Sequence, residues 1–158
     1  QICALSDAGI PVEVVPGISA YQAAAAGLSC ELTIPGVVQT IVLGRAGGRT
    51  GVPDRESLNN LAALQASLCI YLSARHVEEV QETLLAHYPA ETPVAVAYRM
   101  SWPDERLDVI ELKDMAAFSR RQELIRTTLY IVSPALARGP QRSRLYSPDH
   151  DHLFRQNR

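Results

Sequence analysis

At 158 residues the chain has the length of one ordinary domain and can bury a core of its own. A formal net charge of -2 and a pI near 6.1 exclude the broad basic field that gathers nucleic acid or an anionic membrane. Cys3, Cys30 and Cys69 share no metal-ligand spacing and fit thiols of a cytosolic protein, and no apolar run reaches the ~20 residues that span a bilayer.

In chain order, "QICALSDAG" sets apolar Ile2, Cys3 and Leu5 before an Asp-Ala-Gly stop, so it reads as the tail of a helix already under way and the chain is expected to be a fragment. "IPVEVV", 10–15, is β-branched and predicts a short strand. After Pro16-Gly17, "ISAYQAAAAG" predicts a helix that stops at Gly27. "VVQTIVLG", 37–44, is the next strand, and the glycine-rich "RAGGRTGVP" is a loop. Asp54 is placed to cap a helix through "RESLNNLAALQA", with Leu58, Leu61, Ala62 and Leu64 facing inward. "LCIYL", 68–72, has the length and continuous apolarity of a buried strand, and "HVEEVQETLLAHY" the stripe of an amphipathic helix through Val77, Val80, Leu84 and Leu85. "TPVAVAYR" and the half-exposed "RLDVIEL" are consecutive strands, a helix runs from Lys113 to Leu124, and "TTLYIVS" closes the set. Alternating strands and helices on short connections predict an α/β fold, and the two consecutive strands make its sheet mixed, with helices flanking it. From Gly139 a polar tail follows.

Chemistry-bearing motifs are few. No Ser-His-Asp or Cys-His arrangement, phosphate loop or GxGxxG is present. Of the 15 basic residues, only Lys113 is a lysine, a bias that suits an anionic ligand as well as a genome rich in G and C. "GRAGGRTG" offers Arg45 and Arg49 on a loop toward an anion. "DHDH", 149–152, reads as solvated tail rather than a metal site, which needs ligands fixed by a scaffold. "AYRMSWPDERL" ends a strand, where open α/β sheets bind ligands, or is a turn with Trp102 packed over it. The alanines at 20 and 23–26 admit either a flat ligand or a tightly packed neighbour.

Taken together, "VEVVPGISA", "IYLSA" and "YRMSWPDERL" resemble the strand-turn-helix, the central strand end and the following strand segment of the tetrapyrrole methylases. "RAGGRTGVPDRESL", the Ser-Trp-Pro-Asp-Glu run and "SRLYSPDHDHLFR" are similar to the members that methylate carbon 11 of precorrin-4 on the way to cobalamin. The resemblance implies two α/β domains with S-adenosylmethionine in the cleft between them. Residues 1–36 would end the first domain, 37–138 form the second and 139–158 the tail. It puts Ser19 and Ala20 near the methionine part of the donor, Leu72 and Met100 at its adenosine, and Pro134 and Ala135 beside the adenine. Arg45 and Arg49 are the candidates for the ring's carboxylates. It implies a cytoplasmic homodimer, with no metal, nucleic acid or membrane partner and no catalytic side chain. The family's GxGPGD-type loop has no counterpart here, so the chain alone is expected to be inactive. Uroporphyrinogen methylation and a non-catalytic α/β binding or dimerisation module are the alternatives.

Overall fold

The computed structural model describes residues 1–47 and 51–137. Arg49, the predicted tail and its 149–152 cluster lie outside the described residues. Five strands form one mixed sheet: β1 (Ile41–Arg45), β2 (Ser67–Tyr71), β3 (Pro93–Tyr98), β4 (Arg106–Glu111) and β5 (Thr128–Val132), in the spatial order β1-β2-β5-β3-β4. β1 and β2 are parallel; the β2–β5, β5–β3 and β3–β4 pairs are antiparallel. β5 is therefore central, and all five of its residues are buried.

The period-2 alternation of the strands divides the apolar residues between two layers. Leu68, Ile70, Val94, Val96, Tyr130 and Val132 pack on one face with α3 (Leu58–Ala62), α4 (Val77–Leu85) and α5 (Met115–Arg121). Cys69, Ala95, Ala97, Leu129 and Ile131 pack on the other against α2 (Ala20–Gly27). The small Ala95 and Ala97 let that helix lie close. Its last residue, Gly27, comes so near β4 that a Cβ there would stand 2.9 Å from Leu107 Cδ2. The remaining helix, α1 (Ile2–Asp7), buries no residue.

Where α2 begins, Ser19 N–H donates to Gln22 Oε1 at 3.0 Å, satisfying one backbone donor ahead of the first turn. The start of α2 is tied to the sheet by one phenol. Tyr71 Oη, at the end of β2, lies 2.9 Å from Ser19 Oγ and accepts from Tyr21 N–H at 3.3 Å.

Several local expectations change. The predicted strand at 10–15 is not formed: the segment has no ladder among the described residues, and Val15 is 78% and Ile18 81% exposed. β-branched residues favour extended backbone, but a strand also needs a neighbour for its N–H and C=O groups, and this sheet supplies none. Ser57, not Asp54, caps α3, its hydroxyl accepting from Asn60 N–H, because 54–56 form a separate 3-10 turn. α3 consequently ends at Ala62, and Leu64 turns outward, as does Leu85 at the last position of α4. The helix expected from Lys113 begins as a 3-10 turn and is α-helical only over α5.

Removing the Tyr71 hydroxyl (Tyr71→Phe) is expected to lower stability by about 0.5–1.5 kcal/mol in urea unfolding and to speed amide exchange at Tyr21, since a part-buried tether is lost while the ring stays. Burial pushes the Cys69 thiol up to about 12. The unfolded chain releases that proton from about pH 8.5 upward, so above that pH the unfolded state holds fewer protons and stability falls as pH rises. Between about pH 8.5 and 9.5, below the range where the tyrosines titrate, Cys69→Val is expected to show a flatter stability profile than the parent chain.

Candidate functional site

Because β5 runs against its neighbours, the C-terminal ends of β1, β2 and β3 share one edge of the sheet with the start of β5. A crevice of about 660 Å3 opens at that edge, lined by Ala20 from α2, Tyr71 and Leu72 at the end of β2, Met100 and Trp102 after β3, and Thr127 to Leu129 at the start of β5. Its size lies within the ~300–1,000 Å3 of small-molecule sites, and its lining is mainly apolar with a few polar groups at the rim.

Left-handed backbone collects here. Leu72 (φ 56°) and Thr127 (φ 54°) line the crevice, and Arg99 (φ 50°) and Ser101 (φ 67°) flank Met100. Each such non-glycine residue stores about 1–3 kcal/mol, and a β-branched threonine is the least tolerant of it. The surroundings hold these conformations in place. Buried Ser73 donates from Oγ to Tyr71 O at 2.7 Å and accepts from Ala46 N–H at 3.0 Å, which pins the chain just past Leu72. Arg99 N–H donates to Thr127 O at 2.9 Å, and Ser101 N–H donates to Glu105 Oε2 at 2.7 Å. Leu72 is 84% exposed, so its side chain gains nothing from burial that would offset the strain.

Four predicted positions converge. Ala20, Leu72 and Met100 line the crevice, and Ser19 adjoins it through its contact with Tyr71. Arg45 ends β1 opposite Tyr71, donates from a guanidinium N–H to Gly51 O at 3.1 Å, and lines a neighbouring hollow of about 490 Å3 that also meets Tyr71. Pro134 and Ala135 are not brought to the crevice. They follow the other end of β5, where Ser133 N–H donates to Pro93 O at the start of β3, and Ala135 is buried with Ile34, Val38 and Ala66. The reversal of β5 is the reason: its first residues, not its last, meet the ends of β2 and β3.

Thr127 and Thr128, at the start of β5, line the crevice instead, at the edge away from Pro134 and Ala135. Nothing in the one-dimensional pattern marks the direction of a buried strand, so no signal pointed to them. Trp102 stands past a strand end, and the structure leaves it 52% exposed on the crevice, with Arg99 of the same turn stacked on its ring. Among the described residues no group of three or more His, Cys, Asp or Glu is arranged to hold a metal ion, and no helix is long and apolar enough to cross a membrane.

Comparison with known proteins adds to this geometry. The family model described as Tetrapyrrole (Corrin/Porphyrin) Methylases matches residues 1–116. The precorrin-4 C(11)-methyltransferase of Pseudomonas aeruginosa is 44% identical over 156 residues, covering 98% of this chain and 62% of that protein. The cobalt-precorrin-4 C(11)-methyltransferase of Methanocaldococcus jannaschii is 39% identical over 161 residues, 99% of this chain and 61% of its own length. The crystal structure of a cobalamin biosynthetic enzyme, cobalt precorrin-4 methyltransferase, superposes with a TM-score of 0.81 at 34% identity, over 85% of this chain and 57% of that one. The chain thus spans about three fifths of the length of the curated relatives it matches. With the mixed sheet, the crevice at its strand ends and a family match over most of its length, the chain belongs to the tetrapyrrole (corrin/porphyrin) methylases.

Proposed function

We propose that this chain forms the second α/β domain, with the end of the first, of an enzyme that transfers the methyl group of S-adenosylmethionine to carbon 11 of precorrin-4 in cobalamin biosynthesis. Residues 1–36 complete the first domain, 37–138 are the second and 139–158 a polar tail. The activity belongs to the protein at its relatives' full length, acting as a cytoplasmic homodimer, and not to these residues alone. The observation that carries this reading is the crevice itself, in which Ala20, Leu72 and Met100 meet at one sheet edge beside left-handed, strained backbone. The named activities of the relatives at 44% and 39% identity favour precorrin-4 over other rings.

The volume and lining of the crevice suit a nucleoside-sized ligand with an apolar body and a few backbone-directed polar groups. The donor supplies a sulfonium methyl that is already activated for displacement. The protein's part is then alignment and exclusion of water. Holding attacking carbon, methyl and sulfur in line lowers the barrier by roughly 7–11 kcal/mol through prepaid entropy. Ala20 and Ala97 leave the floor open, while Met100 and Leu129 keep it apolar. In this reading the adenosine lies against the backbone at Leu72 and Thr127, whose left-handed conformations are set in advance of binding.

Methyl transfer to precorrin-4, followed by mass spectrometry with the full-length protein and S-adenosylmethionine, is expected to show a gain of one methyl; a ring recovered unchanged defeats the reading. Ala20→Leu is expected to weaken S-adenosylhomocysteine binding about tenfold or more in calorimetry, because added methylenes overfill the crevice while the part-exposed position tolerates them in the fold.

A further inference from the structure

Arg75, in the 3-10 turn after β2, and Arg126, just before β5, both line the main crevice and also a second hollow of about 430 Å3. The two spaces share the wall made by Trp102, Ile125 and Thr127. Among the described residues neither guanidinium has an ion pair or a hydrogen bond. Arg99 differs from them. Its guanidinium pairs with Asp104 at 2.5 Å and stacks 4.3 Å from the Trp102 ring, so its charge is already answered and its plane stiffens the indole. Glu123 is the acidic residue on the second hollow, and the main crevice has none among its described lining.

The local balance at the shared wall is therefore two unanswered positive forks beside a half-exposed aromatic face. Guanidinium groups grip carboxylates through parallel hydrogen bonds, and an indole offers a flat apolar surface to a planar body. We propose that Arg75 and Arg126 form a carboxylate subsite next to Trp102, which takes a carboxylate of a flat ligand where the crevice opens into the second hollow. The subsite rests on the methyltransferase reading, under which the carboxylate comes from the ring's side chains or from the amino-acid end of the donor. The second hollow lies outside the space that encloses Ala20 and Leu72, which suits a ring extending beyond the donor. Sequence reasoning gave this role to Arg45 and Arg49. Arg45 lines a different hollow and already donates to Gly51 O, so the subsite at Arg75 and Arg126 is an additional one.

Calorimetric titration of the full-length protein and its Arg75→Gln and Arg126→Gln variants tests the assignment, with three probes: uroporphyrin, whose side chains all end in carboxylates; its methyl ester; and S-adenosylhomocysteine. Both arginines are exposed, so circular dichroism is expected to be unchanged in the variants. Each substitution is expected to weaken uroporphyrin binding about tenfold, with a smaller salt dependence, and to leave S-adenosylhomocysteine and the ester unaffected. Weakened S-adenosylhomocysteine binding with uroporphyrin unchanged would keep the carboxylate subsite and assign it to the donor. If the parent protein binds both ligands and neither variant changes either affinity, the subsite is wrong and the methyltransferase reading stands. If the parent protein binds neither ligand, both fall together.

Discussion

The placement of β5 governs the rest of the molecule. A five-residue strand buried along its whole length must have hydrogen-bonding partners on both sides and apolar layers above and below. β2 and β3 meet the first need, running opposite to it, and the helices on the two faces meet the second. That single antiparallel insertion brings the finish of β2, the finish of β3 and the start of β5 to one edge. Every described residue of the crevice comes from that edge or from the α2 helix laid over it.

The two faces of the sheet are unequal, and the inequality has a use. Large side chains such as Leu68, Ile70, Val96 and Tyr130 fill the space under three helices. On the opposite face Ala95 and Ala97 leave a shallow floor that one short helix covers in part. Where that cover ends, the floor continues as open crevice. Tyr71 sits at the boundary, its ring on the crevice and its hydroxyl holding the start of α2, so helix placement and site shape depend on one side chain.

The segment at 10–18, which pairs with no strand of this sheet, belongs to the same logic. An apolar, β-branched run in solvent is a template for pairing with another strand. Under the proposed function its neighbour is the sheet of the first domain, and the exposed Leu72 and Trp102 face the cleft between the two domains. The Arg99–Trp102 stack, with Arg75 and Arg126 beside it, gives the crevice a positive, aromatic rim, which under the same proposal suits a planar polyacid.

Periodicity and turn chemistry in the sequence were enough for the order of strands and helices from β1 onward, the mixed character of the sheet and the exposure of β4, because local backbone preference and side-chain alternation act within a few residues. The motifs around Pro16-Gly17, Leu72 and Met100 were enough for the family and for three of the positions that line the crevice. Pairing was beyond reach: whether 10–15 becomes a strand depends on a neighbour, and which end of β5 meets the crevice depends on the direction in which it inserts. That Thr127 lines the crevice while Ala135 is buried beyond the other end of β5 follows from that direction. Strand direction and convergence are properties of contacts between residues far apart in the chain, such as Tyr98 with Thr128, and only the tertiary structure decides them.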